Sequence, residues 1–175
     1  MPLLIAAIIV VGCLCLLDLL LTFGLLRRLR EHAELLAGGM PASPPPGLTA
    51  GEQPAAFTAV STSGQAVSGP AGLRLAAFFS PSCSVCPGKV APFVSYVRSL
   101  DMDSENVLAV VSGEGAAPYL ADLSRVAQVC VEPAGGDVAL AFAVHGFPAF
   151  FLLDPGGRIV TAGYDPDSLP EPAPV

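Results

Sequence analysis

The sequence predicts an α/β domain, a mixed sheet with helices on its faces, carried behind one long apolar helix. Three observations lead there. Short apolar runs alternate with helix-period segments between residues 51 and 164. The last two runs flank Asp154-Pro155-Gly156-Gly157, a tight-turn signal. Residues 3–26 are apolar with Asp18 as the only charge.

Those first residues are read as a transmembrane anchor. At a helical rise of about 1.5 Å each they are long enough for a hydrocarbon core of about 30 Å. A cleaved signal peptide would begin with basic residues and end at a small-residue site. Met1-Pro2 supplies no basic side chain, and although Val10-Val11-Gly12-Cys13 loosely resembles a lipoprotein cleavage box, the apolar run continues past it. Cys13 and Cys15 differ by two positions and so face different sides of a helix, which reads as lipid-facing filler; relaying electrons to a polytopic partner is the alternative. A carboxyl in hydrocarbon is costly, so Asp18 predicts a contact with a membrane partner. Residues 27–50 follow as a juxtamembrane helix opening on Arg27, Arg28 and Arg30. Gly38-Gly39 ends that helix, and a semi-rigid proline-rich linker follows.

The folded unit is expected over residues 51–164. Residues 57–60 and 65–67 flank a Ser/Thr/Gly turn and predict a small hairpin. Residues 73–79 form a short apolar run suited to a strand buried on both faces. Residues 86–100 place Val90, Phe93, Val94 and Val97 at helical spacing, with Pro92 expected to bend the helix. Residues 107–111 predict a second buried strand. Pro118 opens a helix with Tyr119, Leu120, Leu123 and Val126 on one face. Residues 129–131 predict a third strand, and Asp137 caps a helix running to about Gly146. Residues 150–153 and 158–162 predict the closing antiparallel hairpin. The remaining residues, 165–175, are proline-rich and predict a disordered tail.

Composition narrows the chemistry. From residue 50 onward five Lys/Arg stand against twelve Asp/Glu, a difference of minus seven. An acidic, Trp-free domain repels nucleic acid and offers few stacking platforms. The chemical signal lies instead in Ser80-Pro81-Ser82-Cys83-Ser84-Val85-Cys86-Pro87, where two thiols stand three residues apart between a strand and a helix. Backbone N–H groups and the dipole at a helix start favour a thiolate on the first sulfur. The spacing brings the second within reach to close a disulfide. A fixed disulfide or half of a zinc site would be the inert readings. A four-cysteine zinc site needs a second pair, and Cys130 is the only other thiol of the soluble part. Cys130, within Val129-Cys130-Val131, reads as a small buried hydrophobe.

A second motif strengthens the first: Gly146-Phe147-Pro148, the apolar run 149–153, then Asp154-Pro155-Gly156-Gly157-Arg158-Ile159. With the cysteine pair and the order of elements it resembles the thioredoxin-like superfamily, in particular its membrane-tethered TlpA-like and MauD-like branch. The resemblance spans residues 51–163 and implies a thioredoxin-like fold and a thiol–disulfide oxidoreductase with no cofactor. It also implies catalytic Cys83 and Cys86, paired as a disulfide in the oxidised form, and a cis Phe147–Pro148 bond against them. Ser82, Ser84, Val85, Phe147 and Pro148 would line the groove for protein thiols and disulfides. Four departures stand out. Ser82 replaces the Trp common before the first cysteine, and Ala77 occupies the place of a buried acid. Phe147 replaces the usual Thr or Val, which narrows the groove or makes it apolar, and the final superfamily helix is missing. That last loss would leave one sheet face under-covered.

Two alternatives compete with redox exchange. Cys83, Cys86 and His145 would suit Cu(I), and copper-delivery proteins of the Sco type are thioredoxin-like with a pair ending in Cys-Pro, although one residue wider. A tethered interaction module whose cysteines do not turn over is the other. Topology pulls both ways. Arg27, Arg28 and Arg30 directly after the anchor favour a cytoplasmic domain by the positive-inside tendency. The resemblance implies an extracytoplasmic one, which is the expectation adopted.

Overall fold

A computed structural model describes residue 12 and residues 44–170. The expected anchor with Cys13, Cys15 and Asp18, the juxtamembrane Arg27, Arg28 and Arg30, and residues 171–175 lie outside the described residues. Within them no helix is long and apolar enough to cross a membrane.

The described residues from Pro45 to Pro170 fold as one unit. Its elements are β1 (Phe57–Val60), β2 (Ala66–Gly69), β3 (Leu75–Phe79), α1 (Cys86–Ser99), β4 (Val107–Ser112), α2 (Ala117–Leu123), β5 (Gln128–Glu132), α3 (Asp137–Ala141), β6 (Ala149–Leu153) and β7 (Ile159–Gly163). β1 and β2 form an antiparallel hairpin. The other five strands form one sheet in the order β5-β4-β3-β6-β7. β3, β4 and β5 run parallel through the helical crossovers α1 and α2, whereas β6 and β7 are antiparallel additions.

β3 explains why the sheet is dry on both sides. Its five residues are all buried, and successive side chains point to opposite faces. Phe79 meets Phe93 of α1 at 5.8 Å and Phe150 at 5.7 Å between ring centroids. Its neighbour Phe78 meets Phe142 at 5.1 Å and Phe151 at 5.7 Å on the other side. One face is covered by α1, α2 and Leu169. The other is covered by the β1–β2 hairpin, α3 and Phe142. The expectation of an under-covered face is therefore corrected.

Three further boundaries differ from the sequence reading. The folded unit begins at Pro45, not Gly51, because residues 46–48 pack onto it. Leu48 N donates to Phe142 O at 3.0 Å, and His145 N donates to Pro46 O at 2.9 Å. A Cβ at Gly47 would lie 2.5 Å from Phe142 O, so only glycine fits that approach.

The helix expected to run from an Asp137 cap to about Gly146 ends at Ala141, and Gly136 takes the cap position. Glu132, at the end of β5, supplies the missing acceptors by receiving Val138 N at 3.0 Å and Ala139 N at 3.1 Å. Ala143 takes a left-handed φ of 50°, with Val144 N bonded to Ala139 O and Ala143 N to Leu140 O. That is a Schellman ending with alanine where glycine is usual.

Finally, residues 165–170 are packed rather than loose. A single 3₁₀ turn, Pro166–Ser168, replaces a final helix and lies on α1. Lys89 pairs with Asp165, Tyr96 donates to Pro170 O at 2.8 Å, and Leu169 is only 7% exposed.

Candidate functional site

The cysteine pair sits where β3, the central strand, passes into α1. Ser80 O receives Cys83 N at 3.1 Å and Tyr119 hydroxyl at 3.4 Å, pinning the turn before the helix. Ser80 and Ser82 hydroxyls lie 2.9 Å apart. α1 begins at Cys86 with Val85 at its cap position, and Pro87 falls in the first turn, where a missing N–H costs no helical bond. Cys86, Val90, Phe93 and Val97 form the buried stripe of that helix. The helix that presents the thiols is thus anchored by the same side that buries the second one.

Cys83 and Cys86 are disulfide-bonded, with Cα atoms 5.4 Å apart. Their exposures differ sharply. Cys86 is 0% exposed, while Cys83 is half-buried beside exposed Ser82, Ser84 and Val85. Only Cys83 is open to an incoming sulfur.

The second motif meets the first. Phe147–Pro148 is a cis peptide immediately before β6, which pairs with β3. Cys83 Sγ lies 3.4 Å from Phe147 O. Pro148 is buried and Phe147 half-buried, its ring bridging the two core faces. Tyr164 crowds the same loop, since a Cβ on Gly146 would lie 2.9 Å from its hydroxyl.

His145 is not brought to the pair in a ligand arrangement. It is exposed, and its Nδ1 lies 3.1 Å from Ala143 O. Among the described residues no three His, Cys, Asp or Glu side chains form a group able to hold a metal. The copper alternative therefore gains no ligand set. Ala77 is fully buried, and β3 carries no carboxylate. Cys130 lies inside β5 at 2% exposure; burial, with a smaller effect of the Glu132 charge, pushes its thiol up to about 11.

Sequence reasoning missed two features here. One is Tyr119, placed only on a helix face, whose hydroxyl holds the turn of Cys83. The other is the Lys89–Asp165 pair, which lowers the Asp165 carboxyl through the hydrogen bond from Lys89. Both join segments far apart in the chain, and no local spacing signals them.

This architecture is the thioredoxin-like fold: a cysteine pair at a helix start, facing a cis proline across a mixed sheet. Solved structures agree. The chain is similar to the thioredoxin domain of a thiol-disulfide oxidoreductase from Bacteroides vulgatus, with TM-score 0.53 and 20% identity over 66% of this chain and 88% of that one. It is similar to a thio-disulfide isomerase from Thermus thermophilus, with TM-score 0.51 and 17% identity over 67% and 87%. A secreted disulfide oxidoreductase from Mycobacterium tuberculosis matches with TM-score 0.50 and 17% identity over 62% and 83%. No protein-family model and no curated protein matches the chain.

Proposed function

We propose that this chain is a membrane-tethered thiol–disulfide oxidoreductase that exchanges disulfides with other proteins from the extracytoplasmic side. One observation carries the reading: a bonded pair in which Cys83 is accessible and Cys86 is sealed behind it. In the dithiol form the Cys83 thiolate attacks one sulfur of a client disulfide. A Cys83–client S–S bond forms as the client bond breaks, and the second client sulfur leaves as a thiolate that takes up a proton. Cys86, deprotonated, then attacks Cys83 Sγ and expels the first client thiolate. Two electrons pass to the client, and the pair ends as the disulfide seen here. The reverse sequence oxidises a client dithiol. Burial keeps Cys86 from reacting first.

The neighbours described as thiol-disulfide oxidoreductases support the chemistry, and the extracytoplasmic side rests on the family resemblance of the sequence motifs. Membrane tethering rests on residues 3–26, and the TlpA-like or MauD-like character rests on the sequence motifs. The test is reduction of insulin by the full-length protein in detergent. Activity should vanish in Cys83→Ser, and a variant that keeps its rate would overturn the reading. Labelling Cys83 in intact cells with an impermeant thiol reagent tests the side. Protection until lysis would place the domain in the cytoplasm.

A further inference from the structure

Beside the cysteine turn, on the side away from Phe147–Pro148, lies a pocket of about 310 Å³ lined by Pro81, Pro87, Val90, Pro118, Tyr119 and Asp122. Sheet order fixes its position. β3 leads into the pair, β6 with Pro148 flanks β3 on one side, and β4 flanks it on the other. The loop after β4 runs along Pro81, since a Cβ on Gly115 would lie 3.7 Å from Pro81 Cβ. The pocket is mostly apolar, and the two prolines it shares with the thiol motif border Cys83 and Cys86. Its rim is acidic. Glu114 makes no ion pair among the described residues, and Asp122 holds Arg125 only at 3.5 Å, with both side chains more than half exposed. Such a surface pair contributes little and yields readily to a competing cation. Glu114 itself lines an adjoining hollow of about 680 Å³ with Val131 and Glu132, and Gly115 borders both depressions.

We propose that client recognition extends onto this face. The pocket takes an apolar side chain next to the client's reactive cysteine, and a flanking Lys or Arg faces Glu114 and Asp122. The proposal rests on the redox reading and specifies its client as a cationic, apolar segment. Burial of one apolar side chain beside the reacting sulfur adds binding that a small disulfide cannot use. Asp122 in the pocket and Glu114 in the adjoining hollow attract basic segments and repel acidic ones.

The test uses full-length reduced protein in detergent and two synthetic peptides, each with one cysteine as its mixed disulfide with thionitrobenzoate. One carries Leu and Arg beside the cysteine, and the other carries Ser and Glu. The dithiol loses two electrons and becomes the disulfide, while peptide thiol and coloured thionitrobenzoate are released. Wild type should prefer the Leu/Arg peptide by about tenfold. Pro118→Trp, which fills the pocket, and Glu114→Lys with Asp122→Lys should each bring the ratio of the two rates near one. The ratio within each variant cancels any change in Cys83 reactivity, and a cooperative denaturant transition establishes separately that each variant is folded, because the thiols of an unfolded chain would release colour from both peptides alike. A wild-type ratio near one, or a preference kept in folded Pro118→Trp and in the charge reversal, overturns the proposal. Failure of wild type to reduce the symmetric thionitrobenzoate disulfide would instead overturn the redox reading beneath it.

Discussion

Cys83 and Cys130 stand at two ends of one spectrum within a single small sheet. Cys83 follows β3 in an exposed turn pinned by Ser80, with its sulfur 3.4 Å from a backbone carbonyl and a helix starting three residues on. Cys130 lies within β5, bridged to Ser61 and 2% exposed among apolar side chains. The same thiol becomes a reagent in one place and a hydrocarbon substitute in the other. Backbone context decides between them: a chain leaving a strand exposes its sulfur, whereas a chain staying in the ladder buries it.

The sharpest test of the contrast is alkylation of the reduced protein near neutral pH, mapped by peptide mass. Cys83 should react at least about a thousandfold faster than Cys130, whose modification needs local opening. Comparable rates would abolish the distinction. Next in size is the core cluster that holds Cys86. Leu169, from the segment after β7, packs in the same cluster as Cys86, Phe93 and Phe150. Leu169→Ala should cost about 3 kcal/mol in denaturant unfolding. It should also speed Cys86 alkylation while leaving Cys130 untouched, because Cys130 belongs to the opposite face. Equal acceleration at both cysteines would mean that the two faces open together.

Most of the site was legible because its parts are short-range. The cysteine spacing, the strand ahead of it and Phe147-Pro148 before an apolar run are local patterns, and β3's all-apolar run announced burial on both faces. What escaped shares another property. Residues 46–48 and 165–170 hold on through single contacts: Gly47 under Phe142, Tyr96 hydroxyl on Pro170 O, Leu169 in the core. Proline-rich segments have no hydrophobic period, so nothing local distinguishes a strap from a free tail. The short α3 failed for a related reason. Its N-terminal acceptors come from Glu132, outside the helix, and its stop is an alanine in a conformation glycine normally takes. Neither the pocket beside Pro87 nor the Tyr119 hydroxyl bond leaves any local signal, since β4 lies between the two helices that build the pocket.

Two smaller effects complete the contrast. Cys130 has its folded-state pKa raised from 9.0 to about 11, so the folded protein holds that proton more tightly than the unfolded chain. The stability this gives is fully present below pH 9 and is lost as pH rises towards 11, by about 2 kcal/mol. Cys130→Ala should flatten that alkaline decline in denaturant titrations. An unchanged slope would place the loss in other groups. Asp165 works in the opposite direction. Lys89 lowers its carboxyl, so its contribution is present above the ordinary carboxylate range and fades as pH falls through the folded pKa. With side chains 30% and 42% exposed the pair is well screened, and Lys89→Ala should cost only about 0.5 kcal/mol at neutral pH. Because the pair ties the strap to α1, the helix that begins at Cys86, the same variant should raise Cys86 alkylation slightly and leave Cys130 as it was. A loss comparable to that of Leu169→Ala would show that charge, rather than the buried leucine, holds the strap in place.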